Sequence, residues 1–173
     1  MFDRILLALD DSPAGEVAAL FCAALAREEG AAVHVLHVNE RLVGGKGVTL
    51  RSRQEAIDLV DDAVRQLADA GVRAGGSVCV SSYRHVPQRI VATAHERSSD
   101  AIVLGSTRAR RLGRLFSAQV RERTTRLTAL PVLTAPSPLR VTSPRSVTNW
   151  TDGMGESLGT VPRSPAGRNP EMG

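Results

Sequence analysis

The sequence predicts an α/β domain in which one open parallel sheet is covered by helices on both faces. Short aliphatic runs alternate along the chain with longer segments of helical period, which is the pattern of repeated strand–helix units. The aliphatic runs are continuous rather than alternating, as in strands that are buried on both faces. A chain of 173 residues has the length of one domain with a short extension.

The first strand and helix have clear start and stop signals. Residues 5–9 form a continuous apolar run, and Ser12 is a suitable N-cap for a helix with Pro13 in its first turn. Gly30 is placed to end that helix. The apolar positions expected to face the sheet are Val17, Leu20, Phe21, Ala24 and Leu25.

The second strand is predicted over residues 32–38, and the glycine-containing segment 39–50 is predicted to be a flexible connection. A second helix ends at Gly71, and its apolar stripe holds Ile57, Val60, Val64 and Leu67. The remaining strand, helix, strand, helix and strand are predicted over residues 77–80, 86–97, 101–104, 115–127 and 132–134. In the last helix, Phe116, Val120 and Leu127 are expected to face inward.

The character of the chain changes at Pro136. Six of the nine prolines fall in residues 136–173, and no apolar period continues there. Such a segment buries too little apolar area to offset its ordering entropy. We therefore expect a compact domain over residues 1–135 and a disordered tail, rich in Pro, Gly and Ser, over residues 136–173.

Composition and charge exclude several classes of protein. No apolar run approaches the roughly 20 residues of a transmembrane helix, and no signal-peptide pattern is found at the N-terminus, so we expect a cytoplasmic protein without membrane contact. Cys22 and Cys79 lie far apart without metal-ligand spacing and are interpreted as buried hydrophobes. The net charge of +4 is local, because residues 108–126 carry seven arginines and one acid. Without interleaved aromatic residues, this cluster does not favour nucleic acid as a partner.

Ligands of open α/β sheets bind beyond the carboxyl ends of the strands. The residues just after each predicted strand are therefore the candidates for a binding site. They are Asp10, Asp11 and Ser12, then Val38 and Asn39, then residues 81–84, and then residues 105–108.

Four segments of the sequence resemble the universal stress protein family. They read ILLALDDS at residues 5–12, VLHV at 35–38, SDAIVLGS at 99–106 and LPVL at 130–133. The resemblance covers residues 1 to about 135 and keeps the order of elements. It implies an adenine-nucleotide alpha-hydrolase-like fold with five parallel strands in the order 3-2-1-4-5. It also implies a site for ATP or AMP and a homodimer.

The resemblance implies a set of nucleotide-binding positions that this chain only partly keeps. Asp10 matches the family's acid after the first strand, and Val38 matches the position whose backbone meets the adenine. The family's phosphate motif, G-x2-G-x9-G followed by Ser or Thr, keeps only its first glycine, Gly105. The other positions hold Arg108, Ala118 and Gln119. Nucleotide binding is therefore expected to be weak or lost.

Two other features have alternative interpretations. The arginines of the 108–114 loop form either a solvated face or a docking patch for a phosphate-containing ligand or an acidic partner. The four histidines are scattered, and Ser12 lacks the G-x-S-x-G context of a nucleophile, so no catalytic residue is predicted.

The sequence therefore predicts a non-catalytic stress-response or signalling module with no certain cofactor. One alternative is a competent ATP- or AMP-binding universal stress protein with slow hydrolysis at most. Another is a nucleotide-dependent enzyme of related architecture. The segment 131–135 lies at an edge of the implied sheet and carries no charge to discourage strand pairing, so we expect a homodimer through this strand.

Overall fold

The computed structural model of the chain describes residues 1–41, 49–106 and 118–136. The described residues all fall in one compact unit, Met1–Leu139. The predicted tail beyond Pro136, the arginines of the 108–114 loop and Phe116 lie outside the described residues.

Five strands and four helices alternate along the described part of this unit. The strands are β1 (Arg4–Ala8), β2 (Ala32–Arg41), β3 (Ala74–Ser82), β4 (Ala101–Leu104) and β5 (Val132–Thr134). The helices are α1 (Pro13–Glu29), α2 (Arg53–Asp69), α3 (Val86–Glu96) and α4 (Ala118–Leu127), with a 3-10 turn (Tyr83–His85) before α3. All strand pairs are parallel, and the sheet order is β3-β2-β1-β4-β5. The predicted fold class and strand order are confirmed.

The sheet separates two hydrophobic clusters. Ile5 and Leu7 of β1 face the cluster beneath α1 and α2, whereas Leu6 and Ala8 face the cluster beneath α3 and α4. This alternation follows from the two-residue period of a strand. Since β1 is the middle strand of the sheet, its carboxyl end lies between those of β2 and β4.

Helix α1 packs through its small residues rather than through the predicted large ones. Its buried positions include Ala14, Ala18, Cys22 and Ala26, while Leu20 is 69% exposed. A face of alanines lets the helix approach the sheet closely, and the larger Phe21 is only partly buried against the same cluster. The prediction that Leu20 and Ala24 face the sheet is wrong for this reason.

Other boundaries also differ from the predicted ones. Strand β2 continues past Val38 to Arg41, and β3 starts at Ala74, because Gly75 and Gly76 pair in register with β2 in spite of their low strand propensity. In α4, Val120 and Thr124 are buried, but Leu127 is 46% exposed. The inward orientation predicted for Leu127 is therefore wrong.

Candidate functional site

Buried polar side chains concentrate at the carboxyl ends of β1 and β2. Asp10 and Ser12 follow β1, while His37, Asn39 and Glu40 lie in the last half of β2, and all five are less than a tenth exposed. Burial of polar groups costs free energy unless partners satisfy them. The carboxyl ends of β1 and β2 are therefore the candidate site for a polar ligand.

The turn from β1 into α1 fixes the Asp10 carboxylate. The Ser12 hydroxyl donates to Asp10 Oδ1 at 2.5 Å and accepts from the Gly15 backbone N–H at 3.1 Å. Ser12 thus caps α1, as predicted, and also orients the acid. A Cβ at Gly15 would lie 2.1 Å from the Asp10 carbonyl oxygen and 2.7 Å from Oδ1, so only glycine lets Asp10 sit against the helix.

Gly105 makes the same kind of close approach from β4. It is buried directly after the strand, and a Cβ there would lie 2.9 Å from the Ala14 carbonyl oxygen. The ends of β1 and β4 therefore meet the first turn of α1, bringing Asp10 and Gly105 to one place. The amino end of a helix carries unpaired N–H groups and a partial positive charge, which favour an anion nearby.

The Val38 backbone faces the crevice beside the end of β1. The Leu9 N–H donates to the Leu36 carbonyl at 2.8 Å, so the peptide groups of Leu36 point toward β1. By the two-residue period of the strand, those of Val38 point the same way, beyond the last register pair of Ala8 with Leu36. The Val38 side chain itself is fully buried in the cluster beneath α3 and α4.

Two buried ionisable groups on β2 border this crevice. His37 Nδ1 lies 3.0 Å from the Leu9 carbonyl, and since a carbonyl only accepts, the ring donates from Nδ1. Burial holds the pKa of His37 below its ordinary value, against the opposing effects of that hydrogen bond and of Asp10. Burial also raises the pKa of Glu40. The low dielectric therefore disfavours charge on both side chains.

A short strap, Thr49–Ser52, crosses the ends of β1 and β2. The Asn39 side chain donates to the Arg51 carbonyl at 2.9 Å and accepts from the Arg51 N–H at 3.2 Å, and the Leu50 N–H donates to the Glu40 carbonyl at 2.8 Å. The Arg51 guanidinium forms an ion pair with Asp11. A cation is thereby held next to the acids of the β1–α1 turn.

Two other predicted phosphate-motif positions, unlike Asp10 and Gly105, are not buried at the strand ends. Ala118 and Gln119 begin the described part of α4, and both are exposed. Gln119 Oε1 accepts from the Tyr83 hydroxyl at 3.3 Å, which ties its side chain to the turn before α3. Arg108 lies outside the described residues.

Some residues of this region were missed by sequence reasoning. Arg51 is far from β1 in sequence, and only the return of the chain to β2 reveals its pairing with Asp11. Gly15 could have been suspected, since a glycine in the first half of a helix costs stability unless something packs closely on it.

Among the described residues, His, Cys, Asp and Glu form no group of three or more able to hold a metal ion. In the same segments, no helix combines the length and apolar character needed to cross a membrane.

Comparisons with known proteins agree with this architecture. Residues 1–136 match the model of the universal stress protein family. A crystal structure of a universal stress family protein from Burkholderia pseudomallei is 23% identical, with a TM-score of 0.62 over 78% of this chain and 96% of that one. A universal stress protein from Archaeoglobus fulgidus is 26% identical, with a TM-score of 0.62 over 79% of this chain and 95% of that one.

A further structure, of the universal stress protein from Archaeoglobus fulgidus in complex with dAMP, is 25% identical. Its TM-score is 0.60 over 78% of this chain and 98% of that one. No curated protein sequence matches the chain. Since the family model spans most of the chain and the sheet order agrees with it, the chain belongs to the universal stress protein family.

Proposed function

We propose that this chain is a non-catalytic stress-response module that binds adenine nucleotides weakly, through the adenosine part of the ligand. The single observation that carries the proposal is the contrast within the candidate site. Asp10 and Gly105 follow β1 and β4 and both approach the first turn of α1, and the Val38 backbone in the last half of β2 points toward β1. The matched phosphate positions, in contrast, hold Arg108, Ala118 and Gln119.

Support for the adenosine part comes from the chemistry at the crevice. A backbone N–H and C=O pair such as that of Val38 suits the donor and acceptor edge of an adenine ring. The Asp10 carboxylate, held by Ser12, suits the hydroxyls of a sugar. The relative from Archaeoglobus fulgidus, in complex with dAMP, makes an adenine nucleotide the natural ligand to test.

Weak affinity follows from the phosphate positions. Glycines let backbone N–H groups approach phosphate oxygens closely, and a hydroxyl adds a further donor. Ala118 carries a Cβ, and the Gln119 side chain is engaged with Tyr83 instead of presenting a hydroxyl. The Asp10 carboxylate adds a repulsive term for a highly charged polyphosphate, whereas the charge of Asp11 is offset by its ion pair with Arg51.

Titration calorimetry with ATP tests the proposal. We expect a dissociation constant above about 10 μM, equivalent to a binding free energy weaker than roughly −7 kcal/mol. The combined variant Arg108→Gly, Ala118→Gly and Gln119→Ser should bind ATP more tightly. Arg110→Gly is the control for the loss of one loop arginine. A wild-type dissociation constant below about 10 μM would contradict weak binding.

The proposed absence of catalysis rests on the hydroxyl and imidazole closest to the crevice. Ser12 Oγ is already used, since it donates to Asp10 and accepts from Gly15. His37 is 1% exposed and held by the Leu9 carbonyl, so it is poorly placed to exchange protons with a ligand. Phosphate release from ATP should stay at the level of a protein-free control. Release that disappears in Asp10→Asn would instead favour the slow-hydrolysis alternative.

We also propose a cytoplasmic homodimer that pairs through residues 131–135. Strand β5 lies at one edge of the sheet, and Thr134 is exposed there. Sedimentation at tens of micromolar should show a dimer that Leu133→Pro disrupts, because proline removes a backbone donor. A dimer that persists in a folded Leu133→Pro variant would contradict this interface.

The 108–114 arginines are proposed to dock a phosphate-containing or acidic partner.

A further inference from the structure

The second edge of the sheet, strand β3, lacks the usual protection against pairing. It is nine residues long, Ala74–Ser82, and pairs with β2 on one side only among the described residues. Its sequence, AGGSVCVSS, contains no charged residue and no proline. Natural edge strands are commonly kept short, charged or interrupted by proline, and β3 has none of these features.

A groove runs beside this edge on the face covered by α2. It has a volume of about 610 Å³, with an apolar floor that includes Ile57, Val78 and Val80. Val80 is 49% exposed, an unusual exposure for a valine on a strand. Gly76 also lines the groove and presents no side chain. A partner strand would therefore find both a row of backbone groups and an apolar surface beside it.

Strand β3 is complementary to itself when two copies run antiparallel about Val78. Val78 is the midpoint of the nine residues, so this register pairs the whole strand and keeps both α2 helices on the same face of a continuous sheet. Val80 of one copy then lies opposite Gly76 of the other, where Val60 of α2 packs so closely that a Cβ at Gly76 would lie 2.2 Å from Val60 Cγ1. About eight to ten backbone hydrogen bonds form, close to the number in a typical protein interface.

The charges that line the groove fit the same two-fold arrangement. Arg53 and Asp61 on α2 both border it, and they lie four residues to either side of Ile57. A two-fold axis near Val78 and Ile57 brings Arg53 of one copy toward Asp61 of the other. Opposite charges that meet in this way favour one register over its neighbours.

From the edge, the groove and the charges together, we propose that β3 is a self-association surface on which a second copy of this chain pairs antiparallel about Val78. The proposal does not depend on nucleotide binding. It is separate from pairing through β5 at the opposite edge, and use of both edges would build assemblies larger than a dimer.

Disulfide cross-linking of the full chain tests the register. The variant Ser77→Cys places a new thiol opposite Cys79 of the second copy, at a Cα separation of about 4.5–5.5 Å that permits a disulfide. With oxidised glutathione as the oxidant, a covalent dimer should form at least about tenfold faster than in the matched control Ser77→Cys, Cys79→Ser. Cys22 is fully buried and does not compete. Equal rates in both variants, or no covalent dimer in either, would overturn the proposal.

Sedimentation gives an independent test that does not depend on a new thiol. Val80→Lys places a charge within the interface, opposite Gly76 of the other copy, and should weaken self-association at least tenfold. Leu20→Lys, at another exposed apolar side chain on α1, should leave it unchanged. Circular dichroism confirms that each variant is folded. If Leu133→Pro abolishes association and Val80→Lys does not affect it, the β3 proposal fails and the β5 interface stands. If Val80→Lys abolishes association and Leu133→Pro does not affect it, the β3 surface stands and the β5 interface fails.

Discussion

At the residue scale, the candidate site depends on two places where backbone meets backbone without room for a methyl group. Gly105 approaches the Ala14 carbonyl, and Gly15 approaches Asp10. Both contacts fix the position of α1 relative to the strand ends. The glycine that opens the family's phosphate motif therefore has a packing role here, whatever its role toward a ligand.

Gly105→Ala should destabilise the fold. Its Cβ would lie 2.9 Å from a backbone oxygen that cannot move without shifting α1, so we expect a loss of about 1–3 kcal/mol in the free energy of unfolding, measured with urea. Gly75→Ala is the matched control, because nothing lies within 4 Å of a Cβ there. The close-packing explanation fails if the two variants are equally stable.

His37 should make stability depend on pH. Burial holds its pKa below the ordinary value, so the unfolded chain takes up the proton more readily than the folded one. The folded state therefore loses stability as the pH falls from about 6.5, the unfolded value, to the lower folded pKa. His37→Asn can still donate to the Leu9 carbonyl and should reduce this dependence.

The measurement is the urea midpoint of wild type and variant between about pH 7 and pH 5. Burial also raises the pKa of Glu40, so Glu40 contributes to the pH dependence of stability with the opposite sign. Only the difference between wild type and variant therefore reports on His37. His95→Asn, at an exposed position in the last turn of α3, is the control. Parallel curves for wild type and His37→Asn would show that His37 does not cause the effect.

At the scale of elements, the strap Thr49–Ser52 is held to β2 by backbone and side-chain hydrogen bonds. Asn39 makes two hydrogen bonds to the Arg51 backbone. Asn39→Ala should cost about 1–2 kcal/mol and speed hydrogen exchange at the Leu50 and Arg51 amides. Gln54→Ala removes an exposed hydrogen bond on α2 and should leave that exchange unchanged. Protected amides in Asn39→Ala would show that the strap is held by other contacts.

The strands and helices could largely be predicted from the sequence because most have both a period and an end signal. The continuous run of β1, the Ser12 cap and the apolar run of β4 are local features, and they agree with the structure. The length of β3 could not be predicted, since Gly75 and Gly76 join the strand only through pairing with β2. The buried face of α1 could not be predicted either, because close packing against the sheet buries its alanines and leaves the larger Leu20 exposed.

The candidate site was predictable only where it follows a strand. Asp10 and Gly105 come directly after aliphatic runs, and the chain topology brings them together. Arg51 and its ion pair with Asp11 depend on a distant segment, for which the sequence carries no local signal. The nucleotide-binding roles of Asp10, Val38 and Gly105 stay predictions.

At the scale of the whole molecule, residues 136–173 are predicted to add nothing to the domain. Their proline content and lack of apolar period argue against a packed structure. Truncation after Pro136 should change the free energy of unfolding by less than about 1 kcal/mol. A larger loss would mean that an apolar tail residue, such as Trp150, packs on the domain.

The central claim is that adenosine, and not the phosphate chain, provides what nucleotide affinity the molecule has. Calorimetric titration of the full chain with ATP and with AMP measures this directly. We predict dissociation constants that agree within about threefold, both weakened by Asp10→Ala, because a threefold ratio corresponds to less than about 1 kcal/mol from the two additional phosphates. ATP binding tighter than AMP binding by tenfold or more would contradict the claim, since it would require a phosphate site that these residues do not provide.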